Sequence, residues 1–190
     1  MNKTYRDEFR RIFLLEHLPE PLTRADAHLQ LFDNYLENTR LRIRSVRVPE
    51  TKAWNWTLEQ RFAVDEDAAC WKIAEIHLNE AEHLMFEQFE GREIRKNRYF
   101  YETDGKQIEI DVFLGRLWGL NIARVCFETL AELRDFRFPF AVLEVTSEKF
   151  FTGEILVEKT FADVQAEVAR IVETRHSKDT IIGEIAKENE

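Results

Sequence analysis

Cysteine is scarce in this chain: Cys70 and Cys126 are the only two among 190 residues, and they form no Cys-x-x-Cys pair. That argues against a disulfide framework and against a thiolate zinc site, and it fits a reducing compartment. No apolar run approaches the roughly 18 residues of a membrane span, and the opening segment is polar and charged. Positive charge is in deficit as well. With 27 Lys and Arg against 36 Asp and Glu, the formal net charge is -9, which argues against a general nucleic-acid binder that relies on a basic surface. The five histidines, His17, His28, His77, His83 and His176, show neither H-x-x-x-H nor H-E-x-x-H spacing, so no histidine-built metal site is expected. Internal repeats and low-complexity segments are absent. The expectation is a soluble, cytoplasmic protein of one domain, with chain enough for a sizeable core.

Against that acidic background, Thr39 to Arg44 stands out. Arg40, Arg42 and Arg44 alternate with Leu41 and Ile43, and in an extended strand the three arginines share one face. A half-buried strand usually carries a mixed polar face, not one sign three times over. Two readings are open: a solvated sheet face, or a wall of guanidinium groups holding a polyanion such as a phosphate chain.

The rest of the chain reads as strands with few helices. Alternation over Tyr5 to Leu15 puts Glu8, Arg10 and Ile12 on one face, and Pro19 and Pro21 break the chain afterwards. Gln30 to Glu37 and the arginine strand can pair as a hairpin through Glu37 and Asn38. Trp54 to Phe62 places Asn55, Thr57, Glu59 and Arg61 together, opposite Trp54 and Trp56, so Arg61 extends the arginine wall; the tryptophans are expected on the outer face against a helix. Cys70 to Leu78 is another short strand. A helix opens at Asn79, with Leu84, Met85 and Phe89 at helical spacing and Gly91 as its stop. Glu93 to Glu102 and Lys106 to Leu114 flank Asp104 and Gly105, a pair that favours a tight turn. Leu120 to Glu128 and Val142 to Val145 are the last strands, and Thr160 with Asp163 opens a helix bearing Val164, Val168, Ile171 and Val172. Consecutive strands with hairpin signals indicate an antiparallel sheet that can close into a barrel.

Two blocks carry a resemblance to a known family. Asn34 to Arg44 ends in Leu41-Arg42-Ile43-Arg44, and Gln107 to Leu120 joins an acidic strand to a glycine turn. Lys96-Asn97-Arg98-Tyr99, Leu18-Pro19, and Glu144-Val145-Thr146 followed by Lys149-Phe150 add shorter elements. Together they resemble the CYTH family of triphosphate tunnel enzymes, whose members include class IV adenylyl cyclases, thiamine triphosphatases and inorganic triphosphatases. The similarity spans roughly Glu8 to Leu156.

The resemblance implies a mainly β, α+β fold: a closed antiparallel eight-stranded barrel with outer helices, one of them C-terminal. Residues 1–158 would form the tunnel domain, 159–176 a helix packed on it, and 177–190 a loosely held tail. Arg40, Arg42, Arg44, Arg61, Lys96, Arg98, Arg124 and Lys149 would grip the phosphates of a triphosphate-containing small molecule or inorganic polyphosphate. Glu8, Glu75, Glu109 and Asp111 would hold Mg or Mn, since hard cations take oxygen ligands. The chain also departs from the family pattern. Where the family opens on E-x-E-x-K, the register here gives Glu8-x-Arg10-x-Ile12, and where a late strand carries E-x-E it gives Arg124-x-Cys126. Three classes follow: a metal-dependent triphosphatase of reduced activity, with adenylyl cyclase chemistry as a lesser variant; a non-catalytic polyphosphate or nucleoside-triphosphate binding module; and a scaffold with a vestigial tunnel. No organic cofactor, nucleic acid or membrane is expected, and the protein would be a monomer or homodimer.

Overall fold

A computed structural model describes residues 5–64, 67–86, 88–89 and 91–188, of which 67, 68 and 178–188 are described by their backbone alone. Nine strands form one antiparallel sheet: β1 Arg6–Leu15, β2 Leu29–Leu36, β3 Leu41–Arg47, β4 Trp54–Val64, β5 Asp67–Leu78, β6 Gly91–Thr103, β7 Lys106–Phe113, β8 Asn121–Phe127 and β9 Leu143–Glu144. Their order is β5-β4-β3-β2-β6-β7-β8-β1-β9, and a further pairing of β1 with β5 closes β1 to β8 into a barrel. Strand β1 makes closure possible through its length. Its Phe9–Leu15 stretch pairs with β8, while the other edge is shared, with Arg6–Phe9 against β5 and Phe13–Leu14 against β9.

Turn chemistry sets the registers. Asp104 and Gly105 both adopt positive φ, 49° and 69°, as a tight hairpin between right-twisted strands requires, and Asn38 does the same at 58° between β2 and β3. The hairpins then fix which residues point inward, because a slip of one position would reverse every side chain. Arg42 faces Tyr35 and Glu59, Arg44 faces Asp33, Arg98 faces Asp111, and Arg124 faces Glu109.

Two apolar clusters hold the barrel. On the outer side, Phe13, Leu15, Tyr99, Ile108, Ile110 and Val125 pack beneath Phe136 and Phe138. The second cluster joins inward residues at one end of the barrel, Ile12, Ile94, Phe113 and Ile122, to Phe151 and Leu156 and to Val164 and Ile171 of the C-terminal helix. The segment after β9 thus caps one barrel end, as a 3-10 turn Lys149–Phe151 followed by the short helix Gly153–Leu156.

Helices α1 Glu80–Phe86, α2 Leu130–Asp135, α3 Gly153–Leu156 and α4 Phe161–Glu188 complete the described fold. Capping explains their starts: Asn79 Oδ1 accepts from the Glu82 amide at 2.9 Å while Glu82 Oε2 accepts from the Asn79 amide at 2.8 Å, and Thr160 and Asp163 exchange the same pair of bonds at α4. Trp56 stacks on His83 of α1 at 5.2 Å, as outer-face packing against a helix requires. Gly91 does not stop α1, which ends at Phe86; it opens β6, where a Cβ would sit 2.7 Å from the Tyr35 carbonyl. Close approach of two backbones, not a helix cap, is its role. Helix α4 has helical backbone through Glu188, so helix continues into the stretch expected as a tail; most side chains of 177–190 lie outside those described.

Candidate functional site: an arginine-lined barrel interior

Alternate residues of each strand enter a barrel, and here they are mostly charged. Arg10, Asp33, Arg42, Glu59, Lys96, Arg98 and Asp111 are all buried. Charges this far from water need partners, and they find them in one continuous chain. Arg124 lies 3.4 Å from Glu109, Glu109 2.7 Å from Arg98, Arg98 2.6 Å from Asp111, and Asp111 2.7 Å from Lys96. Lys96 and Arg42 each lie 3.3 Å from Asp33; Arg42 pairs with Glu59, and Glu59 lies 3.7 Å from Arg61. Arg61 reaches Glu8 at 2.8 Å and Glu8 reaches Arg10 at 3.4 Å. Arg44 branches off, its Nε donating to Asp33 at 2.6 Å.

The two ends of this chain are both arginines, and they meet. Arg124 lies opposite Ile12 and Arg10 opposite Cys126 where β1 pairs with β8, so two guanidinium groups face the same junction, where both lower the pKa of Glu8. Burial lowers the pKa of Arg10 well below the ordinary guanidinium range, and the charges of Arg124 and Arg61 push it further down. Trp71 gives partial relief, its ring 3.8 Å from the Arg10 guanidinium carbon. Arg61 is pushed down to about 10, first by burial and then by Arg42.

Beside the junction lies a cavity of about 60 Å³, lined by Arg10, Arg42, Arg61, Lys96 and Arg124 and, from the cap, Glu154. That volume has room for on the order of four waters. Among the described residues, five buried side-chain N or O atoms have no hydrogen-bond partner, and four of them are the Nε atoms of Arg10, Arg42, Arg61 and Arg124. An unsatisfied buried donor costs about 1–3 kcal/mol, and here four such donors belong to residues around one small cavity.

The electrostatics differ along the chain. Burial alone would raise the Asp111 carboxyl, but Arg98 and Lys96 outweigh it and hold it far below the carboxylate range. Glu59 likewise ends at about 2, with burial opposed by Arg42, Arg44 and Arg61. Lys96 is pushed down to about 8 by burial, only partly offset by Asp111 and Asp33. Glu154, at the cavity rim, is raised by desolvation against the pull of Arg42 and Arg40.

Of the residues expected to grip phosphate, Arg42, Arg61, Lys96 and Arg124 line the cavity, and Arg44 and Arg98 support it through Asp33 and Asp111. Arg40 precedes β3, exposed, with its guanidinium 4.9 Å from the Phe62 ring, and Lys149 is exposed on the capping turn. Two interior acids escaped the sequence reading as site residues. Asp33 is fully buried and contacts Arg42, Arg44 and Lys96; Glu59 touches Arg42, Arg44 and Arg61. Both had a signal: Glu59 shares the phase of Arg61, and the Glu37-Asn38 turn places Asp33 across from Arg44. Among the described residues, seven cations of the ion-pair network, Arg10, Arg42, Arg44, Arg61, Lys96, Arg98 and Arg124, therefore stand against five carboxylates, Glu8, Asp33, Glu59, Glu109 and Asp111, a smaller excess than the motif positions alone suggested.

Two solved structures of the protein NE1496 share this architecture. One is described as an inorganic triphosphatase and the other as a hypothetical protein, with 23% and 21% sequence identity, 79% and 80% of this chain covered, 93% and 99% of theirs, and TM-scores of 0.53 and 0.54. The barrel has the fold of NE1496. No protein-family model matches the chain, and no curated protein does. The fold implied by the CYTH resemblance is the one observed, and NE1496 shares it over most of both chains.

A divalent metal does not fit the donors present. Among the described residues, no group of three or more His, Cys, Asp or Glu side chains converges in a way that could hold an ion. Of the four acids assigned to metal, Asp111 is held by both Lys96 and Arg98, Glu109 by Arg98 and Arg124, and Glu8 by Arg61 and Arg10. Glu75 is exposed on β5, with Arg6 4.0 Å and His77 3.5 Å away. Cys126, across from Arg10, is exposed, and desolvation by its neighbours together with Glu8 raises its thiol pKa. No helix among the described residues is long and apolar enough to cross a membrane.

Proposed function

We propose that this protein binds a triphosphate-type anion, inorganic tripolyphosphate or the phosphate chain of a nucleotide, inside its barrel, and that any hydrolysis is slow. One observation carries the reading: four unpaired guanidinium Nε–H donors belong to arginines around one cavity, at a point where the interior ion-pair chain begins and ends in a cation. An anion placed there would take up donors that burial otherwise leaves unsatisfied, by charge-assisted hydrogen bonds worth about 1.5–3 kcal/mol each. The name of NE1496 as an inorganic triphosphatase supports the choice of ligand. Phosphoryl transfer depends chiefly on positioning and on stabilising charge spread over the transferred oxygens, which an arginine-lined cavity supplies in part. Each acid of the interior ion-pair chain is engaged by a cation, which leaves Glu154 as the cavity-lining carboxylate outside that chain.

Calorimetric titration with tripolyphosphate, alongside release of inorganic phosphate, tests this. The expected outcome is saturable binding at one site, weakened by about tenfold or more in Arg124→Gln and by added salt, because bound charges are screened. Turnover is expected far below the roughly 10 per second typical of enzymes. Equal binding by wild type and Arg124→Gln would place the anion elsewhere.

A further inference from the structure

The misfit between the interior donors and a divalent ion has a consequence for the ligand. Resting on the proposed anion site, we infer that the barrel takes its triphosphate-type anion free of divalent metal, so that magnesium competes with the protein for the ligand instead of assisting its binding.

Three features of the interior lead there. First, the carboxylates of the ion-pair chain are committed. Freeing Glu8 or Glu109 for a cation means breaking its contact with Arg61 at 2.8 Å or with Arg98 at 2.7 Å, and breaking a buried pair strands a guanidinium in low dielectric. Among the described residues, no three acidic, histidine or cysteine side chains are gathered to offset that loss.

Second, both ends of the ion-pair chain are cations, Arg10 and Arg124, and they stand at the same junction. Arg10 and Arg124 repel each other there strongly enough to depress the Arg10 pKa beyond the effect of burial. A dication entering the junction would add to that repulsion, whereas a phosphoryl group would relieve it. Third, among the described residues, the unpartnered buried side-chain atoms of residues lining the cavity are donors: the Nε–H groups of Arg10, Arg42, Arg61 and Arg124. A cation needs acceptors, and guanidinium has none.

Chelation therefore works against binding. Magnesium grips phosphate oxygens and keeps several of its own waters. Oxygens engaged by the ion accept fewer bonds from guanidinium. Arg10 and Arg124 carry out the neutralisation that a bound ion would otherwise provide.

The test is a pair of calorimetric titrations of the whole protein with tripolyphosphate at matched ionic strength, one with EDTA and one with magnesium well above the ligand concentration. The expected result is binding in EDTA that weakens about tenfold or more in magnesium, a loss of about 1.4 kcal/mol. Unchanged or tighter binding in magnesium overturns the inference while leaving the anion site intact. No binding under either condition overturns the anion site itself, and the inference with it.

Discussion

Replacing Arg10 by Met should make the anion-free protein more stable while weakening its hold on tripolyphosphate. Arg10 is 5% exposed, its Nε has no partner, and its guanidinium is repelled by Arg124 and Arg61. Removing it relieves the unsatisfied donor, about 1–3 kcal/mol, and the repulsion as well. Two losses oppose that gain. The cation–π contact with Trp71 at 3.8 Å is worth about 2 kcal/mol when desolvated, and the contact with Glu8 is long, 3.4 Å, with Glu8 keeping Arg61 at 2.8 Å. Because Glu8 keeps Arg61 as its partner and no charge is stranded, the net is a stabilisation of about 1 kcal/mol, and for a chain of this length it raises Tm by about 3 °C. Thermal unfolding in buffer free of phosphate and sulfate measures it. With tripolyphosphate at a hundred times its Kd the wild type should gain about 2.7 kcal/mol, and the variant less than half of that at the same concentration. A fall in Tm of more than about 3 °C without anion would refute the reasoning, because it would mean that Arg10 is a structural brace and not a strained ligand-binding group.

Acid should unfold the protein through its interior carboxylates. Glu59 sits near 2 when folded against an ordinary 4.5, so its contribution, on the order of 3 kcal/mol, is complete above pH 4.5 and disappears as pH falls through about 2; Asp33 and Asp111 act in the same sense, and a urea midpoint unchanged between pH 5 and pH 2.5 would contradict this. Lys96, pushed down to about 8, should take up a proton when an anion binds near that pH. Titrations at pH 8 in buffers of different ionisation enthalpy would then give different apparent heats, and identical heats would count against Lys96 facing the anion. Glu154→Gln removes a negative charge from the cavity rim, and tripolyphosphate affinity should rise by about threefold, or about 0.6 kcal/mol, in calorimetry; a weaker complex would show that Glu154 helps to hold the ligand.

Much of the barrel was legible because strand alternation has a fixed period and the tight turns carry their own chemistry. Asp104-Gly105 and Asn38 set the registers, alternation put Arg42 and Arg44 on one face, and the family resemblance assigned Arg42, Arg98 and Asp111 to the interior. Arg40 shows where that reasoning stops: it shares the phase of Arg42, but it precedes β3, and its side chain is free to lie over Phe62. Asp33 sat unnoticed between Phe32 and Asn34 because its importance comes from three strands at once, through Arg42, Arg44 and Lys96. The cap was invisible for a related reason. Gly153 looks like an ordinary loop glycine until its backbone is seen packed on the Tyr35 hydroxyl, which would collide with a Cβ there. Helix α2 was missed because none of its six residues is fully buried, Leu133 packing only in part against the outer cluster, and Thr129, accepting from the Glu132 amide at 3.3 Å, marks its start.

The most direct test of the central claim is a crystal structure of the protein grown with tripolyphosphate and EDTA. The account predicts phosphate density inside the barrel, with oxygens within about 3 Å of guanidinium nitrogens of Arg10, Arg42, Arg61 and Arg124. Density confined to the outer surface, or an interior that stays closed by its own ion pairs at saturating ligand, would contradict it.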